Sequence, residues 1–258
     1  MSARRLDPGG WRLCVGLDPH PELLPAAFPR TPRGVRAFLQ WAIDQTAPFA
    51  DAYKANAAFY EMWGSAGWRV LRKTVARVRG IAPRTLMVLD GKRGDISSTA
   101  AAYARAAAAL GVDAVTISPY MGMPTAAAFL AAGLSAFVLT LPTNPAAQPL
   151  VDHGEPPLYL QVAQLVRRLA GRFPGRLGLV VGATRPEAAR RLHHCAPELP
   201  WLVPGVGAQA GDLTALLAKV GGHDHAWVNA SRSLLFAPDP AAAARALAQR
   251  LQTIGGTG

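Results

Sequence analysis

The chain has 258 residues, half of them hydrophobic and 17% charged, which is enough for one large core and is a common length for a single α/β barrel. It has no apolar stretch of membrane-spanning length, no signal-peptide pattern and only two cysteines, Cys14 and Cys195. These features exclude a membrane span and a disulfide framework, so we expect a cytoplasmic protein. The formal net charge of +11 suits an anionic ligand, but the arginines are scattered, which disfavours nucleic acid as a partner.

Eight short apolar runs, each typical of a buried strand, alternate along the chain with amphipathic helical segments. The runs cover residues 12–18, 48–60, 85–90, 112–120, 135–140, 177–184, 201–208 and 225–231. The first helical segment shows the period clearly, because Val35, Phe38, Leu39, Ala42 and Ile43 define one apolar face. Alternation of this kind predicts a parallel sheet covered by helices.

Several residues predict where the helices begin and end. Gly80 and Gly111 are expected to stop two helices, because glycine readily adopts the backbone conformation that ends a helix. Thr184 and Glu187 stand three residues apart around a proline, which is a capping-box pattern. The other predicted caps are Asp212 and Asp239.

Eight strand–helix pairs without further elements predict an α/β fold of the (β/α)8, or TIM-barrel, type. A doubly wound open sheet is the alternative, but the segment GLDPHPELL after the first run lacks the glycine-rich pattern such a sheet would need. We see no internal repeat and no linker. We therefore expect one domain over residues 1–258, with residues 1–10 and 254–258 frayed.

Charged and polar residues stand at the ends of the first three apolar runs. In a barrel the carboxyl ends of the strands form the active-site face, and residues two apart on a strand point to the same side. The side chains expected to converge there are Asp18, Lys54, Asn56, Asp90, Lys92 and Asp95. A structural salt-bridge network is the alternative, and singly Asp18 could be a turn residue and Asp95 a helix cap.

The last two apolar runs are followed by candidate anion-binding loops. Residues 204–212 are rich in glycine, and residues 229–235 include Arg232. Backbone amides and an arginine are what a phosphate requires, and barrels commonly hold phosphate after strands seven and eight. Ordinary turns are the alternative. The long connection from Pro142 to Pro157 has no predicted element and is expected to form a lid.

Two histidine groups are weak candidates for metal binding. His193 and His194 adjoin Cys195, and His223 is two residues from His225. Both groups precede strands, so we expect them on the barrel face away from the charged cluster. No set of carboxylates and histidines converges on the predicted mouth, and we therefore predict no metal site.

The charged cluster also carries a recognisable motif. Asp90, Lys92, Asp95, Ile96 and Thr99 form the pattern D-x-K-x-x-D-I-x-x-T, which resembles the signature of orotidine 5'-phosphate decarboxylases. Further segments look like the longer bacterial subfamily called type 2: YKANAAFYE, SPYMG, VVGAT, PGVGAQAGD and NASRSL. The resemblance covers nearly the whole chain.

The resemblance implies an activity and a role for each matching residue. The family converts orotidine 5'-monophosphate to uridine 5'-monophosphate without metal or organic cofactor, as a homodimer with active sites at its interface. Lys92 would donate the proton to C6 of the pyrimidine, in a catalytic network with Lys54, Asp90 and an Asp95 from the partner subunit. The implied substrate-binding residues are Asp18, Asn56, Ile96, Thr99, Ser118, Thr143, Gly207, Gln209 and Arg232.

Two segments depart from the subfamily pattern. Ser118 stands where Asn-Pro-Tyr usually begins, and Pro142 stands where Thr-Ser-Asn-Pro often begins. Two other functions stay open on the sequence. One is a magnesium-dependent decarboxylase or aldolase for another phosphosugar, which would need a metal-binding acidic set and a glutamate in the second strand region, where Lys54 stands instead. The other is a barrel that binds nucleic acid without catalysis.

Overall fold

The computed structural model describes residues 4–206, 213–221, 223 and 225–255, without the side chains of residues 254 and 255. Eight parallel strands pair in chain order, and the first also pairs with the eighth, so the sheet closes into a barrel. The strands are β1 (Gly10–Gly16), β2 (Ala52–Asn56), β3 (Leu86–Arg93), β4 (Ala114–Ile117), β5 (Ser135–Leu141), β6 (Leu177–Val181), β7 (Trp201–Val203) and β8 (His225–Ala230). The predicted single-domain (β/α)8 barrel is confirmed.

Helices cover the outside of the barrel between successive strands. The described α-helices are α1 (Pro32–Thr46), α2 (Ala58–Glu61), α3 (Gly64–Ile81), α4 (Ser97–Leu110), α5 (Pro124–Ala131), α6 (Gln148–Val151), α7 (Leu158–Ala170), α8 (Pro186–Cys195), α9 (Leu213–Val220), α10 (Arg232–Leu235) and α11 (Pro240–Gly255). Among them, none is both long and apolar enough to cross a membrane.

The core has two parts because side chains on a strand alternate between the two faces of the sheet. The outward side chains pack against the helices and form the larger cluster. The inward side chains fill the barrel, and this cluster consists of Leu6, Cys14, Ala52, Leu86, Val88, Ala114, Phe137, Val180, Leu202 and Trp227. Leu6, within the segment expected to fray, is fully buried, and its carbonyl accepts a 2.7 Å hydrogen bond from the indole of Trp227.

Several predicted helix boundaries differ from the structure. Helix α3 continues through Gly80 to Ile81, whereas Gly111 does end α4 in a left-handed conformation. The predicted capping box is wrong, because the Thr184 hydroxyl donates to the Thr143 carbonyl at 3.4 Å instead of capping α8. Asp239 caps α11 through a 2.9 Å bond from the amide of Ala242. The predicted cap Asp212 lies outside the described residues.

The sequence predicted no regular structure in the connection from Pro142 to Pro157, but the structure shows some. It contains a 3-10 turn over Pro145–Ala147 followed directly by α6. The Asn144 side chain accepts a hydrogen bond from the amide of Ala146 at 3.1 Å, which starts the turn. The connection is anchored at Asp152, whose two carboxylate oxygens each lie 2.8 Å from Arg185.

A histidine cluster closes the amino-terminal end of the barrel. His223 is 3% exposed, its ring stacks on Trp201 at 3.9 Å, and its Nδ1 lies 3.2 Å from Nδ1 of His193. Burial, together with the neighbouring His193 and His225, lowers the pKa of His223 to about 3. His225 in turn pairs with Asp7. His223 is therefore neutral in the folded protein at ordinary pH.

We predict that acid destabilises the fold through His223. The unfolded imidazole binds a proton near pH 6.5 but the folded one only near pH 3. The stabilisation from neutral His223 is therefore fully present above pH 6.5 and is lost as the pH falls from 6.5 towards 3. Between pH 6.5 and 5 the free energy of unfolding should fall by about 2 kcal/mol, as measured by urea unfolding. A His223→Phe variant should lose this dependence, and an unchanged slope would contradict the assignment.

Candidate active site

A cavity of about 440 Å³ opens at the carboxyl ends of the strands. It lies where the sequence predicted the site, and it is lined by residues of β2, β3 and β8 and of the loops that follow β1, β5, β7 and β8. The described lining residues are Asp18, His20, Lys54, Asn56, Asp90, Lys92, Thr143, Pro204, Gly205, Val206, Asn229, Ser231 and Arg232. The predicted convergence of Asp18, Lys54, Asn56, Asp90 and Lys92 is therefore found within one chain.

Lys54 is a lysine buried inside the barrel. It follows Ala52 on the inward face of β2, so the alternation that fills the barrel also directs this amine inward. Its side chain is 5% exposed, and its Nζ lies 3.1 Å from Asp90 and 3.8 Å from Asp18. Burial opposes the charge, but the two carboxylates outweigh it and raise the pKa of Lys54 above its usual range.

Asp90 connects the charged groups. One of its oxygens accepts from Lys54, and the other accepts from Lys92 at 2.8 Å and from the Thr116 hydroxyl at 2.7 Å. Burial alone would raise the pKa of Asp90, but the two ammonium groups and the hydrogen bonds lower it well below its usual range. The carboxylate is therefore ionised at neutral pH.

Lys92 is held in a strained backbone conformation. Its φ is +45°, in the left-handed region that non-glycine residues rarely adopt, and the pairing of β3 with β4 shifts register between Leu89 and Arg93. The amide of Lys92 donates to the hydroxyl of Thr116 at 2.9 Å, which holds this irregularity in place. Lys92 and Asp90 thus meet where β3 is irregular, whereas a regular strand was expected from the sequence.

Asp18 is tied to the end of the second strand. Its Oδ1 accepts from the amide of Asn56 at 3.0 Å, while its Oδ2 faces Lys54. The Asn56 side chain accepts from the amide of Ala58, the first residue of the short helix α2. Asp18 is therefore part of the buried ion network. A residue that served only to form a turn would not need these contacts.

Several predicted residues lie outside the cavity of the single chain. Asp95 does not line it, and its Oδ1 accepts from the amide of Ile96 at 2.7 Å. The side chain of Ile96 is 60% exposed, and Thr99 follows in the first turn of α4. Ser118 packs beside Gly94 and does not line the cavity either. The expectation that Asp95 joins the other four charges is thus not met within one chain.

The loops after β7 and β8 carry the predicted anion-binding features. Arg232 begins α10 directly after β8, and Gly205 follows β7 with a φ of +91°. Gly207 and Gln209 lie outside the described residues. Gly16 must lack a side chain, because a Cβ there would lie 2.7 Å from Cβ of Ser231. The loop after β8 therefore fits closely against β1.

Among the described lining residues, His20 lies outside the segments that the sequence indicated, whereas Asn229 and Ser231 lie in the candidate loop 229–235 but had been given no role. Asn229 follows Trp227 on the inward face of β8, and its amide donates to the Cys14 carbonyl at 3.1 Å. Strand alternation alone could have identified it. Thr116, which supports both Asp90 and Lys92, follows Ala114 in the same way on β4.

The histidine groups lie at the opposite end of the barrel from this cavity. In the part of the chain that the structure describes, no group of three or more His, Cys, Asp or Glu side chains is arranged to hold a metal ion. Cys14 sits below Lys54, and burial raises the pKa of its thiol to about 12. The cysteines remain free thiols, with Cys14 buried and Cys195 half-buried.

A closed (β/α)8 barrel with two lysines and two aspartates interleaved at its strand ends, opposite an arginine, defines a barrel enzyme for an anionic substrate. Comparison with known proteins makes the assignment specific. The family model described as Orotidine 5'-phosphate decarboxylase / HUMPS family matches residues 11–247, and the chain belongs to this family.

Relatives match over nearly the full length. The chain is 46% identical over 246 residues to an orotidine 5'-phosphate decarboxylase of Herpetosiphon aurantiacus, covering 92% of this chain and 90% of that one. A second, from Roseiflexus castenholzii, is 42% identical over 96% of this chain and 94% of its own. The solved structure of Leishmania donovani OMP decarboxylase superposes with a TM-score of 0.84 and 35% identity, covering 99% of this chain and 95% of that one.

We predict that Lys54→Met destabilises the protein by about 3–5 kcal/mol, because it leaves Asp18 and Asp90 buried without their cation. Chemical unfolding followed by circular dichroism measures the loss. The matched control is Arg77→Met, which breaks an ion pair with Asp44 whose side chains are both 40% exposed. The control should shift the unfolding midpoint little, and equal shifts would contradict the role given to burial.

Proposed function

We propose that this chain catalyses the decarboxylation of orotidine 5'-monophosphate to uridine 5'-monophosphate, a step of pyrimidine biosynthesis. The observation that carries the proposal is the ammonium of Lys92, which faces the cavity from a strained backbone and is fixed by Asp90 and Thr116. Membership of the family, with relatives of the same name over nearly the whole chain, supports the same reaction.

The proposed decarboxylation requires a cation beside C6 of the pyrimidine. The bond between C6 and the carboxylate breaks, its electron pair stays on C6, carbon dioxide leaves, and a proton from Lys92 Nζ completes the product. Lys92 then regains a proton from water. A preorganised ammonium favours the developing carbanion more than the substrate, which is the condition for catalysis. Asp90 holds Nζ at 2.8 Å, so little reorganisation is needed when the charge develops.

The remaining roles are those that the family resemblance implies. We assign the ribose to Asp18, Lys54 and Asn56, the phosphate to Arg232 with Gly207 and Gln209, and the pyrimidine to Thr143 and Ser118. The three residues assigned to the ribose line the same cavity, which supports that assignment. Thr143 and Arg232 also line it, which supports part of the pyrimidine and phosphate assignments. The connection that contains Thr143 is proposed to act as a lid over the ring.

A magnesium-dependent phosphosugar enzyme is the less favoured function. It would require an acidic metal-binding set at the end of β2. That position holds Lys54, which is already paired with both nearby carboxylates. We therefore propose that the reaction uses neither a metal ion nor an organic cofactor.

We further propose a homodimer in which Asp95, with Ile96 and Thr99, completes the site of the partner subunit. Asp95 stands outside the cavity of its own chain, and large apolar side chains are exposed after strands β2, β3 and β4. These exposed side chains are Met62, Ile96, Tyr103, Tyr120 and Met121. Such a patch around the mouth is typical of a surface that another subunit covers.

Two finer assignments complete the proposal. We place the chain in the type 2 bacterial subfamily, on the segments from YKANAAFYE to NASRSL that resemble it. We place the enzyme in the cytoplasm, where its two thiols, Cys14 and Cys195, would stay reduced.

We predict metal-independent turnover that depends on Lys92. The purified protein in EDTA should remove the ultraviolet absorbance of orotidine 5'-monophosphate, and Lys92→Ala should reduce kcat at least about 10³-fold, because proton donation and charge stabilisation are lost together. Lys73→Ala, an exposed lysine of α3, is the matched control and should keep full activity. A folded wild-type protein without turnover would contradict the proposed function.

The dimer proposal makes a separate prediction. Lys92→Ala and Asp95→Ala homodimers should both be nearly inactive, but a heterodimer purified with two different tags should regain about half of the wild-type activity. The reason is that one of its two sites combines the intact Lys92 of one chain with the intact Asp95 of the other. If Asp95 served its own chain, both sites of the heterodimer would be defective and no activity would return.

A further inference from the structure

His20 is a cavity residue for which the decarboxylase motifs provide no role. It stands two residues after Asp18, and its backbone amide donates to the Asp18 carbonyl at 3.0 Å. Its side chain is 23% exposed and lines the cavity together with Asn56 and Arg232. A histidine in this position presents a polar ring to the substrate, so its orientation matters.

The ring of His20 is held on two sides. Nδ1 lies 3.0 Å from the carboxylate of Glu22, and the ring packs against Phe59 with centroids 4.3 Å apart. Phe236 approaches its edge at 6.3 Å. Phe59 and Phe236 are themselves packed against the core. The imidazole is therefore fixed before any ligand binds.

The contact with Glu22 determines which ring nitrogen of His20 remains available for a ligand. With Nδ1 engaged by a carboxylate, the second ring nitrogen, Nε2, is the atom left for a ligand. An imidazolium donates at both nitrogens, one bond to Glu22 and one to an anion. This arrangement is the usual way in which a second residue fixes the orientation of a functional histidine.

The neighbours of His20 indicate which part of the substrate it meets. Phe236 directly follows α10, the short helix that begins with Arg232. Asp18 and Asn56, on the other side, are already joined to each other by a hydrogen bond. His20 thus lies between the residues assigned to the ribose and the segment that carries Arg232.

We infer that His20, oriented by Glu22 and Phe59, is a binding residue for the 5'-phosphate of the substrate and acts beside Arg232. The inference rests on the proposed function and extends it by a residue that fixes specificity for the phosphorylated nucleotide. His20 is not assigned to the proton transfer at C6, which the proposed function gives to Lys92.

The test separates the phosphate from the rest of the nucleotide. His20→Ala and His20→Gln should raise KM for orotidine 5'-monophosphate about 10-fold and leave kcat within about twofold, since a charge-assisted hydrogen bond is lost from binding alone. The inhibition constant of uridine 5'-monophosphate should rise by the same factor, whereas that of uridine should not change. Glu22→Gln should give a smaller effect of the same kind.

His194→Ala is the control, because His194 is exposed at the far end of the barrel, and it should leave all constants unchanged. Equal losses for uridine and uridine 5'-monophosphate would overturn the inference in favour of a ribose contact or a structural role. So would unchanged inhibition by uridine 5'-monophosphate in an active His20→Ala variant. A wild-type protein that does not turn over substrate would instead count against the proposed function itself.

Discussion

The buried charge of Lys54 is the constraint on which the site depends. An ammonium inside a barrel is tolerated only if carboxylates compensate it, and they must come from the adjacent strands. Asp18 follows β1 and Asp90 belongs to β3, so the strands on both sides of β2 supply them. The register of three strands is thereby tied to one ion network, because a shift of any strand would leave a charge unpaired.

The strain at Lys92 is a consequence of the same network. Asp90 must point inward to reach Lys54, and a regular strand would then carry Lys92 further along the same face. The left-handed φ and the shifted pairing with β4 instead turn the chain so that the amine returns to Asp90, while Thr116 binds both the amide of Lys92 and the carboxylate of Asp90. Folding energy elsewhere holds this conformation, which fixes the ammonium before substrate arrives.

The barrel could be predicted from the sequence because its cause is local and repeated: eight apolar runs alternate with helical faces, and polar residues end the runs. The irregularity of β3 at Lys92 could not, since it depends on a threonine of the neighbouring strand. The capping box at Thr184 failed because a tertiary partner, the carbonyl of Thr143, took the hydroxyl. His20 was missed because its setting comes from Phe59 and Phe236, which are distant in sequence.

The charge balance of the site limits which groups can attract the substrate. Within one chain, Lys54 and Lys92 are matched by Asp18 and Asp90, so this network has no surplus cation to attract the substrate carboxylate. In the proposed complex, the affinity for a nucleotide that carries both a phosphate and a carboxylate therefore comes from the phosphate, which we assign to Arg232 in the same cavity. In the proposed reaction the substrate carboxylate lies beside Asp90, and the ammonium of Lys92 faces the carbanion that forms when carbon dioxide leaves.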